Sequence, residues 1–260
     1  MSMKILCNAK LFMMLAAALN FYSCASKKEI LYLQNQENYV QKQVQMVENT
    51  LQPNDILKIE VVTSVPEAAI PYSKDLIGGR FANSMDLMKM EGYLVSSNYS
   101  IDFPTLGNVL VKNLSPKKLE RLLKKRLITE GHLINPRVNV RLLNSKVTVL
   151  GEVKTPGTFG LLEPQLNIFQ VLGYAGDLTI TGEREEVLLI REEDGQRRTA
   201  MLDLTSIELL DSPYYFVKPN DVIIVKPNHA KIQSAGYIGN PSTLVAIASL
   251  LISTLVLLTN

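Results

Sequence analysis

Apolar and polar positions fall into short blocks along most of this chain. Val147-Thr148-Val149-Leu150 is apolar and β-branched and predicts a buried strand. Thr155-Pro156-Gly157 follows as a tight turn, with Pro156 fixing φ and Gly157 free to take φ > 0. Phe159 to Leu162 starts a second short strand. Asn167 is placed to cap a short helix over 168–175, which Gly176 stops. Strands return at Val187 to Arg191 and at Val217 to Val225. Upstream, a Pro53-Asn54-Asp55 turn opens an alternating strand that runs to Val61. Ser115 and Pro116 fit the N-cap and first position of a helix with a Leu119, Leu122, Leu123, Leu127 stripe, ended by Gly131. Val138 and Val140 lie on a further strand.

The order of hairpin, short helix and strands over 145–227 describes a β-grasp-like module. Pro-Asn-Asp followed by an apolar strand occurs twice, at Pro53 and at Pro219, and suggests a partial internal repeat. Asn stands in the middle of both turns, and Asn tolerates the left-handed region next best after Gly. Asp55 and Asp221 read as turn-forming residues rather than catalytic acids. Between the first strand and Tyr93, residues 63–91 have weak periodicity and read as a long loop or insertion.

The two ends differ from the middle. Lys4 and Lys10 precede an apolar run, Leu11 to Leu19, that is too short to span a bilayer and reads as a leader over 1–23. Residues 24–50 are polar and Gln-rich and read as a linker, although Tyr32 and Leu33 could dock. Ser242 to Asn260 carries no charge. As a helix it is about 28 Å long at ~1.5 Å per residue, close to the ~30 Å of a hydrocarbon core. A membrane-spanning amphipathic helix is therefore expected over 241–259. By the ~3.6-residue period, Ser242, Ser249 and Ser253 share one face and leucines and isoleucines the other. That pattern fits a lone anchor, a small-residue helix contact, or one stave of a barrel with a polar lumen.

Composition narrows the classes. Apolar residues make up 47% and predict a packed core. A net charge of +2 gives no case for nucleic acid. The 2 Cys, Cys7 and Cys24, both sit near the N-terminus, so no disulfide scaffold is expected. The basic residues of the helix that starts at Pro116 read as its solvated face. The 2 His, His132 and His229, lack acids or thiols at ligand spacing. There is no phosphate loop and no nucleophile elbow. No enzyme, metal or cofactor is expected.

Several motifs in order carry a resemblance. Val149-x-Gly151-Glu152-Val153-x-x-Pro156-Gly157, Leu172-x-x-Ala175-Gly176 and Pro219-x-Asp221-Val222-Ile223-x-Val225 resemble the soluble-ligand-binding β-grasp (SLBB) domain. Ile101, Phe103, Pro104, Gly107 and Val109, then Asn135-Pro136-x-Val138-x-Val140, resemble the polysaccharide export domain. The chain is thus similar to the outer-membrane polysaccharide export lipoproteins, over about two thirds of its length. Phe21-Tyr22-Ser23-Cys24 resembles a bacterial lipobox with Cys24 as the lipidated residue.

The resemblance implies an α+β fold, with an export domain at 51–143, an SLBB β-grasp domain at 145–227 and a membrane-spanning helix after them. It implies an outer-membrane, lipid-anchored channel subunit with its body in the periplasm. Such subunits form a homo-oligomeric ring that conducts capsular polysaccharide or exopolysaccharide passively. Ser242, Ser249 and Ser253 would face the lumen. The implied partner is an inner-membrane polysaccharide co-polymerase or tyrosine kinase. The alternative reading is a periplasmic ligand- or glycan-binding lipoprotein that uses the β-grasp module.

Overall fold

The computed structural model of the chain describes residues 27–40, 42, 48–72, 92–235 and 241–259. The leader 1–23, Cys24 and residues 73–91 of the expected loop lie outside them. The fold is α+β, with two apolar cores that follow one another along the chain.

The first core lies under an antiparallel sheet in the order β2-β1-β5, formed by β1 (Ile56–Val62), β2 (Tyr93–Leu94) and β5 (Arg137–Leu142). A hairpin of β3 (Ser100–Phe103) and β4 (Gly107–Leu110) sits beside it. Helix α1 (Pro116–Thr129) starts where the caps predict, and the Ser115 hydroxyl accepts the Lys118 N–H at 3.2 Å. Its stripe lands as expected: Leu119, Leu123 and Leu127 are fully buried and Leu122 half so. They close over Leu57, Ile59, Phe103 and Val140. Each fully buried Leu contributes roughly 1.5–3 kcal/mol. The basic side faces solvent, where Lys117–Glu120 and Arg126–Glu130 pair along the helix.

The second core is covered by a five-stranded sheet in the order β10-β9-β12-β6-β7. These strands are β6 (Lys146–Gly151), β7 (Gly157–Gly160), β9 (Val187–Glu193), β10 (Gln196–Leu202) and β12 (Val222–Val225). A small pair, β8 (Leu166–Asn167) and β11 (Phe216–Val217), flanks it. β6 and β12 run parallel and every other pair in the sheet is antiparallel. Helix α2 (Ile168–Tyr174) carries the expected Asn167 cap, completed by Gln170 into a reciprocal capping box. It buries Ile168, Val171 and Leu172 against Val147, Val149, Leu189 and Ile223.

One expected turn is different. Gly157 does not take φ > 0; it begins β7 in extended backbone, paired with Val149. The positive φ falls earlier, at Gly151 (φ +91), where β6 ends. Gly176 does lie at φ +74, just past the α2 C-cap.

The last two helices are α3 (His229–Ala235) and α4 (Pro241–Thr259). The 19-residue α4 forms as a helix where the tail predicts one. The expected membrane span is not supported. Among the described residues, no helix is long and apolar enough to cross a membrane.

Candidate functional site

Both Pro-Asn-Asp turns adopt the expected geometry. Asn54 lies at φ 70 and Asn220 at φ 67. Asp55 accepts the Gln52 N–H at 2.8 Å, and Asp221 accepts the Lys218 N–H at 2.8 Å. The two units therefore repeat in backbone as well as in sequence, and the carboxylates serve the turns.

Their surroundings then diverge. Asp221 is met by the buried Arg191 guanidinium, with Nε to Oδ1 at 2.9 Å and Nη2 to Oδ2 at 2.7 Å. Arg191 Nη2 also donates to the Phe216 carbonyl at 3.0 Å, and its guanidinium lies 5.1 Å from the Tyr214 ring centre. Among the described residues, Asp55 has no such cation. Burial pushes its carboxyl up to about 6, opposed only by the Gln52 N–H. Its folded value stands above the unfolded one, so the folded state binds the extra proton. The resulting stability is fully present below the ordinary Asp value of ~3.9 and is lost as pH rises through about 6. Asp55→Asn should remove that slope: the stability of the wild-type chain falls between pH 4 and pH 7, and that of the variant falls less. Parallel pH profiles in chemical denaturation would refute the assignment.

Beside Arg191 a cleft of about 570 Å³ opens on the second core. Tyr214, Tyr215 and Phe216 line it, with Arg198 and Lys218 among its charged residues. Sequence reading passed over this site. Two signals could have found it: Arg191 is a cation between the apolar run 187–190 and the acids Glu192-Glu193-Asp194, and Tyr214-Tyr215-Phe216 is an aromatic cluster next to the second turn.

The segment after the expected anchor is docked at residues 32–34. The Leu33 N–H donates to Leu204 O at 3.1 Å, and Gln34 forms a parallel bridge with Ser206. The Tyr32 hydroxyl donates to Asp177 at 2.5 Å, and its ring meets Phe169 edge-on and Arg184 at 5.3 Å. Burial, then Asp177, hold that hydroxyl protonated well above its ordinary range.

The predicted site residues are not brought together. Cys24 and the Ser242 side chain lie outside the described residues. Ser249 and Ser253 are exposed on α4, and both hydroxyls bond back to carbonyls one turn earlier, Ser249 to Val245 and Ser253 to Ser249 at 2.8 Å. Their hydrogen bonding is thus met within the helix. Among the described residues, no cluster of His, Cys, Asp or Glu could hold a metal.

Residues 43–143 match the family of polysaccharide biosynthesis/export proteins. Over those residues the chain is similar to that family. The matched region contains the whole first core, including the Ile101-to-Val109 hairpin and the Val138-Val140 strand that carried the resemblance. The chain is 26% identical over 198 residues to the EPS I polysaccharide export outer membrane protein EpsA of Ralstonia solanacearum. It is 27% identical over 198 residues to the protein of that name from Ralstonia nicotianae. Each alignment covers 74% of this chain and 51% of the relative. The chain thus spans about half the length of the curated relatives it matches. Both relatives are named as export proteins, which accords with the expectation that the chain is not an enzyme.

Proposed function

We propose that this protein is an outer-membrane subunit for the export of an extracellular or capsular polysaccharide, acting by passive conduction in a homo-oligomeric ring. The observation that carries the proposal is the family match over 43–143, extended by a 198-residue alignment to two exporters. An alignment of that length must run past the export domain into other parts of the chain.

In this reading residues 145–227 form an SLBB module, and its strand order around a central parallel pair supports the assignment. Lipidated Cys24 tethers the chain to the outer membrane and leaves its body in the periplasm. Docking of Tyr32 on the second core then keeps that core close to the lipid surface, since only a few residues separate it from the anchor. Helix α4 enters the membrane in the assembled ring, with Ser242, Ser249 and Ser253 toward the lumen. Val245, Ile247, Leu250, Ile252 and Leu257 are all exposed in the single chain and call for a cover of lipid or neighbouring helices. A co-polymerase or tyrosine kinase of the inner membrane would deliver the polymer.

Deletion of the gene should strand polysaccharide in the periplasm, and the detergent-extracted protein should run as one defined multimer with a central opening. Normal surface polysaccharide in the deletion strain would overturn the export role. A monomer in native mass measurement would overturn the ring.

A further inference from the structure

The cleft beside Arg191 has features the export reading does not use. Arg198 stands directly opposite Arg191 across the β9–β10 pair, on the same face of the sheet. Like charges in that position destabilise a sheet unless anions answer both. Asp221 answers Arg191 with two bonds. Nearby, Glu193 answers Lys218 at 2.6 Å and Asp211 answers Lys42 at 2.7 Å. Arg198 has no acid among the described residues; its guanidinium makes one long bond, Nη2 to Gln196 Oε1 at 3.4 Å. Among the described residues, the uncompensated charge of the cleft is therefore a single guanidinium.

The rest of the lining is aromatic. Tyr214, Tyr215 and Phe216 are half-buried, and Tyr39 joins them from the N-terminal segment. A volume of about 570 Å³ lies inside the range of small-ligand sites, ~300–1,000 Å³. Flat rings suit the C–H faces of a pyranose, and tyrosine hydroxyls suit its hydroxyls. A guanidinium suits a carboxylate, which it can grip with two parallel bonds. A neutral sugar would leave Arg198 unanswered. A bare phosphate would answer Arg198 and leave the aromatic wall without a partner. An apolar ligand would bury Lys218 and Glu193 without replacing their water.

We infer that this cleft binds a uronic-acid unit of the exported polymer, its ring against Tyr214 and Tyr215 and its carboxylate on Arg198. The inference rests on the export reading and adds the chemical class of the substrate: an acidic polysaccharide, held at intervals by its carboxylates. Each protomer of a ring would carry one such hold. A hold of this kind is useful to a conduit when it is weak, because a polymer must be released as readily as it is gripped.

The test is calorimetric titration of the detergent-solubilised full chain with trigalacturonate and with neutral maltotriose. Trigalacturonate should bind at least roughly tenfold more tightly, and added salt should weaken it, because the contact is charged and solvent-accessible. Arg198→Gln should reduce that binding roughly tenfold, to the level of maltotriose. Arg198 is exposed and its replacement relieves a like-charge pair, so the variant should melt no lower than the wild-type chain. Arg121→Gln, on the solvent side of α1, should bind as the wild-type chain does. Equal affinity for both sugars, binding of neither, or an unchanged Arg198→Gln would overturn the assignment. Polysaccharide secretion in the deletion strain separates the two claims. Intact secretion sinks the export reading whatever the titration gives. Blocked secretion with no preference for the acidic sugar sinks only the uronate site.

Discussion

Gly151→Ala should destabilise the chain by about 2–5 kcal/mol. The figure joins ~1–2 kcal/mol for holding an L-residue in the left-handed region to ~1–3 kcal/mol for forcing atoms into a filled space. Gly151 lies at φ +91, and a Cβ built there falls 1.9 Å from the Val225 carbonyl oxygen. That oxygen belongs to the backbone of the neighbouring parallel strand and accepts the Glu152 N–H at 2.9 Å. It cannot rotate away as a side chain would, so β6 and β12 must separate at their common end. Gly195 is the control: it too has positive φ, +73, but an added Cβ there meets nothing within 4 Å. Gly195→Ala should therefore cost only the conformational part. Thermal melting should show a Tm loss of roughly 5–15 °C for Gly151→Ala and clearly less for Gly195→Ala. Equal losses would mean that the contact with Val225 is not what requires glycine.

Arg191→Met should be of similar size, about 3–5 kcal/mol at pH 7, because it leaves a buried carboxylate without its cation. The Asp221 side chain is 0% exposed and that of Arg191 6%, so water cannot replace the lost bonds. Asp221→Asn should also destabilise, by stranding the guanidinium. The paired replacement, Arg191→Met with Asp221→Asn, should cost less than the sum of the two, because neither charge is then left alone. The pH dependence gives a second check. Burial already holds the Asp221 carboxyl above its ordinary value, against Arg191 and Lys218, and without Arg191 only Lys218 opposes it, so its folded value rises further. The variant should then gain stability relative to wild type as pH falls from 7 toward 5, as Asp221 takes up a proton. Additive effects in denaturant unfolding, with no pH dependence, would show that the pair is not coupled.

Much of the local structure was legible in the amino-acid order. Asn54 and Asn220 take φ > 0 because the turns require it and Asn tolerates it. Ser115 and Asn167 cap helices because their side chains reach the first free N–H groups. Leu119, Leu123 and Leu127 are buried because their spacing puts them on one side of a helix. Motif order pointed to the export family for the same reason: each motif is a short stretch whose residues are covalent neighbours. Tertiary structure decided the rest. Gly151, not Gly157, is the strained glycine because Val225, far along the chain, lies against it in parallel register. Arg191 and Asp221 form a pair only once β9 and β12 are aligned. Arg198 meets Arg191 only through the β9–β10 register, and the aromatic wall joins them only through β11 and the turn before β12. Tyr32 changes from linker residue to docked ring because Asp177, Phe169 and Arg184 converge on it from three places in the sequence. Periodicity records which side of an element a residue occupies. It carries no information about which distant residue occupies the facing side, and the cleft and the buried ion pair are made of facing residues.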